Sequence, residues 1–161
     1  MKKTIKKSSG FSLVEIVIVI AIVSIAMISI ISYLIFMREV NFKMARYTEA
    51  TTLAEEGMEA VRKLRNESWA GNIGVLAAGT TYYPVINANR WTLSLTNPGL
   101  VNNKYTRTVV VQNTSRDANG NIGAGTADPD TKKLTITVSW KDSQQTKNVV
   151  LTTYITNFTD N

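Results

Sequence analysis

The sequence has 161 residues, 44% of them hydrophobic, and its 18 basic and 12 acidic side chains give a formal charge of +6. It contains neither cysteine nor histidine, which excludes disulfides, thiol chemistry and the commonest general base and metal ligand. Four of the positive charges are lysines among the first seven residues, so the remaining chain carries only +2. No basic cluster with interleaved aromatic residues follows, and we therefore predict no nucleic-acid partner.

The N-terminal segment combines a short basic leader, a glycine and a long apolar run. The leader ends at Gly10, Phe11 comes next, and a single carboxylate follows at Glu15. Residues 16–37 contain no charge, proline or glycine over 22 positions. As a helix this run would be about 33 Å long, enough to cross a hydrocarbon core of roughly 30 Å.

Glu15 requires a partner because an acidic side chain at mid-membrane costs about 2.5–3.5 kcal/mol on insertion scales, and less near the interface. The nearest suitable partner is the α-ammonium that Phe11 would carry if the chain were cut after Gly10. A carboxylate near a helix N-terminus is also favoured by the helix dipole alone. The helix dipole alone is the weaker explanation for Glu15, because a lysine-rich leader, Gly10 and Phe11 come directly before it.

The order and spacing of Gly10, Phe11 and Glu15 before an apolar span resemble the processing motif of type IV prepilins and type II secretion pseudopilins. The resemblance implies cleavage between Gly10 and Phe11 by a membrane prepilin peptidase and N-methylation of Phe11. It also implies that Glu15 pairs with the N-terminus of a neighbouring subunit in a helical filament. The implied partners are the peptidase, other pilin or pseudopilin subunits and, before assembly, membrane lipid. No cofactor is implied.

The apolar segment can also be compared with a secretory signal and with a plain membrane anchor. A secretory signal has an apolar core of about 7–15 residues that precedes its cleavage site, whereas here the cut would come before the apolar run. A plain membrane anchor is harder to exclude. The leader lysines place the N-terminus in the cytoplasm, and Arg38, Lys43 and Arg46 weaken this bias without removing it. We therefore predict a single pass through the cytoplasmic (inner) membrane with the C-terminal domain outside, and a cell-surface or periplasmic filament after assembly.

Beyond Met37 the pattern becomes amphipathic without a break, with apolar residues every three or four positions up to residue 61. This predicts one helix over residues 11–66, in which Gly57 costs about 1 kcal/mol relative to alanine. Residues 53–62 resemble a stretch of accessory pilin-like proteins, which favours a minor subunit. For this stretch we nevertheless favour an exposed, charged helix face over a dedicated binding site.

The remaining chain predicts strands. Residues 69–81 are rich in glycine and alanine and predict a loop or short turns. Predicted strands cover residues 82–86, 90–95, 105–112, 134–141 and 147–156. In the fourth of these, Val138 and Trp140 belong to the face predicted to be buried, and Thr137 to the wet face.

A long helix followed by consecutive antiparallel strands predicts an α+β fold, in which the amphipathic half of the helix packs on an antiparallel sheet. The predicted segments are a cleaved leader (1–10), a transmembrane and assembly half of the helix (11–37), an amphipathic half (38–66) and a β-rich globular domain (67–161).

One polar stretch has the residue types of a metal-binding site. Asp117, Asn119 and Asn121 place oxygen ligands at alternate positions, like the start of a calcium loop. Ile122 and Asp128 stand where an EF-hand loop needs Gly and Glu, and the same residue types are typical of a long hairpin loop, which we favour. Paired carboxylates, a serine nucleophile with its base and a phosphate-binding glycine loop are all absent from the sequence, so we expect no enzymatic activity.

These features predict a structural subunit of a cell-envelope filament, either a type IV pilus or a type II secretion-like pseudopilus. A DNA-uptake pseudopilus uses the same kind of helix and is equally compatible. The alternative is a bitopic, membrane-anchored extracytoplasmic binding domain that never polymerises. Removal of the leader separates the two, because only the filament subunit requires it.

Overall fold

A computed structural model of the chain describes Gly10 and residues 12–158. The first element is a single α-helix, α1, over Leu13–Glu67. The continuous helix predicted from the apolar and amphipathic periodicities is therefore confirmed, with ends within two residues of those predicted. The chain forms two compact units, residues 1–45 and 46–161.

The first unit is the N-terminal part of α1. Every residue from Ser12 to Phe36 is exposed, although most of these side chains are large and apolar. The second unit contains the rest of α1 and a five-stranded antiparallel sheet of order β2-β1-β3-β4-β5. The strands are β1 (Thr81–Asn87), β2 (Arg90–Ser94), β3 (Tyr105–Arg116), β4 (Thr126–Asp142) and β5 (Gln145–Thr156). This arrangement confirms the predicted α+β fold and its antiparallel connections.

The core of the second unit lies between α1 and one face of the sheet. The helix contributes small and branched residues from Ala50 to Leu64, and β3 and β4 contribute alternate side chains. Val138 is fully buried and Trp140 is 3% exposed, whereas Thr137 on the opposite face is half-buried. The predicted facing of this strand is confirmed.

Gly57 lies where the helix passes close to the sheet. A Cβ atom at this position would lie 3.1 Å from Cδ of Arg107 and 3.2 Å from Cγ2 of Ile136. The glycine that weakens the helix in isolation is therefore what lets the side chains of β3 and β4 pass beneath it.

The structure is more regular than the sequence-based prediction in two places. The segment predicted as a loop or short turns contains a short π-helix, Trp69–Ile73, whose first and last side chains are both buried in the core. Its N-terminus is capped by Ser68, whose Oγ accepts a hydrogen bond from the amide of Gly71 at 3.0 Å. Two buried apolar side chains within five residues are too short a signal to separate from a turn.

The long polar loop between the third and fourth strands is also shorter than predicted. The strands extend to Arg116 and resume at Thr126, and Asp128 and Asp130 both lie within β4. The ladder shifts register between Asn113 and Thr114, and the irregularity accommodates Pro129, which would otherwise break a strand.

Candidate functional site

The candidate processing and assembly site is the start of α1. Gly10 is exposed, and a Cβ built on it would meet no atom within 4 Å, so the backbone at the predicted cleavage position is open on the side described. Phe11 lies outside the described residues. The carbonyl oxygen of Ser12 accepts hydrogen bonds from the amides of Glu15 (3.0 Å) and Ile16 (3.3 Å), which close the first turn. The predicted scissile bond therefore precedes the helix by only two residues.

Glu15 is exposed in that first turn. Its position is electrostatically favourable because unpaired amides and the helix dipole both attract a carboxylate there. Within the described part of the chain, its side chain accepts no hydrogen bond and forms no ion pair. The carboxylate is therefore available to a partner from outside these residues, and its pairing with a neighbouring N-terminus stays a prediction.

The segment that follows is long and apolar enough to cross a membrane, with a mean hydropathy of 3.0 in its best window and no buried residue in it. Its serines do not contradict this. Ser24 donates its hydroxyl hydrogen to the carbonyl of Ile20 at 2.8 Å, and Ser29 does the same to Ile25 at 2.9 Å. These internal bonds satisfy hydroxyl groups that would otherwise lack partners in lipid.

Charged side chains resume immediately after the apolar run. The guanidinium of Arg38 lies 5.5 Å from the ring centroid of Phe42, and Lys43 pairs with Glu39 at 2.7 Å. This sharp change from apolar residues to exposed charges is typical of the point where a continuing helix leaves the hydrocarbon core at a membrane–water interface.

In the second unit, a polar cluster connects the helix to the turn before β3. The hydroxyl of Tyr105 donates to Oε2 of Glu49 at 2.7 Å, and the amide of Asn102 donates to Oε1 at 3.0 Å. These two bonds, that of Tyr105 above all, lower the pKa of Glu49, while burial and the adjacent carboxylate raise the pKa of Tyr105 to about 12. Nothing in the local sequence pattern indicated this cluster, since Glu49 lies more than 50 residues from both of its partners.

The helix segment 53–62, which resembles accessory pilin-like proteins, has one buried and one exposed face. Its acidic residues are exposed, as the favoured prediction of a charged helix face requires. One of them has a role that the sequence did not reveal: Glu56 binds Arg107 at 3.0 Å. The same buried guanidinium donates to the carbonyl of Leu53 at 3.2 Å and lies 5.3 Å from the ring of Trp91. In the sequence, the signal for this close crossing was Gly57, a glycine in the middle of the helix.

The three residues that resemble the start of a calcium loop do come together, but around Asp117 itself. Its carboxylate accepts hydrogen bonds from the amides of Asn119 (2.9 Å) and Asn121 (2.8 Å), and from the side-chain amide of Asn121 (3.0 Å). These bonds lower the pKa of Asp117. The geometry is that of an Asx-stabilised turn, which is the hairpin role we favoured. Among the described residues, no three acidic side chains are grouped so that they could hold a metal ion.

Comparison with known proteins gives one match. A family model described as the prokaryotic N-terminal methylation motif matches residues 5–31, which include the leader end, Gly10, Phe11 and Glu15. Searches of curated proteins and of solved structures find no significant match. The match thus concerns the start of α1, where the open glycine and the exposed carboxylate lie.

Proposed function

We propose that this chain, which carries the prepilin-type signal of type IV pilins and pseudopilins, is a minor structural subunit of a pilus-like filament or pseudopilus. A membrane prepilin peptidase would cut it between Gly10 and Phe11 and methylate the new N-terminus. Before assembly the mature subunit is held in the cytoplasmic membrane by a single span, with its sheet domain outside. It then leaves the lipid and enters a filament.

The observation that supports this proposal best is the combination of the methylation motif with a helical segment, Ser12 to Phe36, that is mostly apolar and exposed on every side. Burial of apolar surface is worth about 25 cal/mol per Å², so such a helix must be covered by lipid or by other helices. Lipid would cover the helix before assembly, and the equivalent helices of other subunits would cover it in the filament. The same surface therefore serves as anchor before assembly and as interface afterwards.

Glu15 supplies the directional contact that apolar packing lacks. Surrounded by other helices, an unpaired carboxylate would be strongly destabilising, because its charge would lose water without gaining a partner. An ion pair with the methylated ammonium on Phe11 of a neighbouring subunit offsets this penalty. The pair forms only at one axial offset between helices, and it would therefore set the register of the filament. We assign the chain no catalytic activity of its own.

The test is the incorporation of Glu15 variants into filaments. Glu15→Ala and Glu15→Gln are expected to insert and fold normally but to be depleted from sheared filaments by roughly ten-fold or more relative to the membrane pool, which corresponds to about 1.4 kcal/mol. Glu15→Asp should recover part of the incorporation because it keeps the charge on a shorter arm. The matched control is Glu55→Ala, which removes an exposed carboxylate elsewhere on the same helix.

Two results would contradict the proposal. Normal incorporation of Glu15→Ala would show that the carboxylate does not pair within the assembly. A chain that keeps its leader in a peptidase-positive membrane, and is never found in filaments, would instead be a membrane-anchored extracytoplasmic binding domain.

A further inference from the structure

The last strand of the sheet, β5, is an open edge. It pairs with β4 along its whole length without a shift of register, and among the described residues no strand lies on its other side. Residues 148–157 contain no charge, proline or glycine. Natural edge strands are usually short or blunted by lysine, proline or a bulge, because an open edge is a template for another strand. The opposite edge, β2, has only five residues.

The hairpin before β5 determines which backbone groups of the strand are free. Asp142 pairs with Gln145 across a two-residue turn, and in such hairpins the two flanking residues exchange hydrogen bonds with each other. The odd-numbered residues of β5 therefore bond to β4. The next odd-numbered amide, that of Asn157, continues this pattern and donates to the carbonyl of Asp130 at 2.8 Å. The even-numbered residues of β5 thus direct their N–H and C=O groups away from the sheet.

The side chains of β5 fit a second copy of the same strand. On the face away from α1, the exposed large apolar side chains of β3, β4 and β5 are Val150 (49%) and Tyr154 (46%). On the α1 side, Val149 and Leu151 are only partly buried against the core. Antiparallel pairing about a two-fold axis at Val150 sets Val150 opposite itself and Val149 opposite Leu151, so apolar side chains meet on both faces. This register also pairs even-numbered residues with each other, so free backbone groups meet free backbone groups.

The position of the charge on β5 agrees with this register. The one charged side chain of the strand, Lys147, comes to lie opposite Thr153 of the second copy, so no like charges face each other across the new ladder. A register centred on Leu151 would instead place Lys147 opposite the buried Ile155. Centring the pair on Val150 therefore avoids both a like-charge contact and a charge beside the core.

We infer that the edge of β5 binds β5 of a second copy of this chain and joins the two sheets into one. The two-fold axis is perpendicular to the joined sheet, so the two α1 helices lie on the same face and run in opposite directions. Copies anchored in one membrane or packed in one filament share a direction. The contact therefore joins copies from two different filaments or from two facing membranes. The pairing itself does not depend on whether the chain polymerises, and only its placement between filaments rests on the proposed function.

The first test uses the full-length chain in neutral detergent and exploits its lack of cysteine. Val150→Cys should form a disulfide-linked dimer on mild oxidation, because the Cα atoms of two residues that face each other in such a ladder are about 5.5 Å apart. The matched control is Thr108→Cys, which lies in the same row of the sheet but two strands away and should stay monomeric. A dimer yield no higher than that of the control, or more efficient linkage by Leu151→Cys, would overturn the inference.

The second test is a charge exchange, whose rescue a misfolded variant cannot imitate. Val150→Lys and Val150→Glu each place two like charges opposite each other, and each should weaken self-association about ten-fold or more in sedimentation. An equimolar mixture of the two should associate within about three-fold of the original chain. Thr108→Lys adds the same charge away from the edge and should change the affinity less than about two-fold. Unchanged association of Val150→Lys, or a mixture no better than its components, would rule out pairing at Val150.

The direction of the two copies is tested with phosphatidylcholine vesicles. The Val150→Lys and Val150→Glu chains are reconstituted into separate vesicle populations, and clustering is followed by light scattering. Neither population should cluster alone, and the mixture should cluster, because the antiparallel pair joins copies from two bilayers. A mixture that does not cluster, although the same two chains associate in detergent, would show that paired copies lie in one bilayer and would overturn the antiparallel geometry.

Discussion

The close crossing at Gly57 allows the packing of helix on sheet to be tested with one added methyl group. Alanine at this position gains about 1 kcal/mol of helix propensity. It also places Cβ 3.1 Å from Arg107 and 3.2 Å from Ile136, closer than ordinary van der Waals contact. Arg107 cannot move away freely because its guanidinium is held by Glu56 and by the carbonyl of Leu53. Ile136 is fully buried.

The two effects have opposite signs, and the structure decides which is larger. Overpacking a well-filled core typically costs about 1–3 kcal/mol. Set against the gain in propensity, Gly57→Ala should lower the free energy of unfolding by about 1 kcal/mol, which corresponds to a fall in Tm of roughly 3–6 °C for a domain of this size. Gly57→Val, with two further methyl groups, should destabilise by several kcal/mol.

The measurement is urea unfolding of the full-length chain in detergent, followed by tryptophan fluorescence, which reports on the buried Trp69 and Trp140. An Arg107→Ala background removes the neighbour of the new methyl group that is least able to move away. In this background the loss in free energy of unfolding caused by Gly57→Ala should therefore fall by about 0.5 kcal/mol or more. Thr52→Ala, on the exposed side of the same helix, is the control and should stabilise by a few tenths of a kcal/mol. If Gly57→Ala stabilised the chain as fully as helix propensity allows, helix and sheet would not be in tight contact at Gly57 and the reasoning would be refuted.

Three further predictions concern processing, the core and acid stability. Protein from a peptidase-positive membrane should begin at a methylated Phe11, and a bulky residue at Gly10 should leave the leader in place; intact-mass analysis decides both. Val138→Asp should destabilise the sheet domain by more than about 4 kcal/mol because it buries an unpaired charge, whereas Thr137→Asp should cost less than about 1 kcal/mol by the same unfolding assay. Hydrogen bonds from a threonine hydroxyl and an arginine lower the pKa of Asp128. Its stabilising effect is therefore present above the ordinary aspartate pKa of about 3.9 and is lost as the pH falls through the lower folded value, so the deficit of Asp128→Asn at pH 7 should shrink in acid unfolding curves.

The parts of the structure that the sequence predicted are those governed by local periodicity. The helix follows from apolar residues that recur with the helical period, and β4 follows from strict alternation between Leu134 and Trp140. The candidate processing motif is also local, because Gly10, Phe11 and Glu15 lie within six residues of one another, and cleavage at this site stays a prediction.

The parts that escaped prediction depend on contacts between distant residues or on irregular backbone. Arg107 binds Glu56, which lies 51 residues earlier in the chain, and the partners of Glu49 lie more than 50 residues beyond it. The bulge that draws Pro129 into β4 requires knowledge of the pairing register.

The order of the strands has a consequence for how the domain is made. The helix face from Ala50 to Leu64 finds its core partners on β3, β4 and β5, so the native contacts span most of the chain. The last strand includes the buried Ile155 and pairs with β4 along its whole length. A nascent chain therefore leaves this helix face incompletely covered until β5 has been synthesised, and the core of the domain can close only after that. Loss of β5 would for that reason affect the whole domain and not only one edge of the sheet.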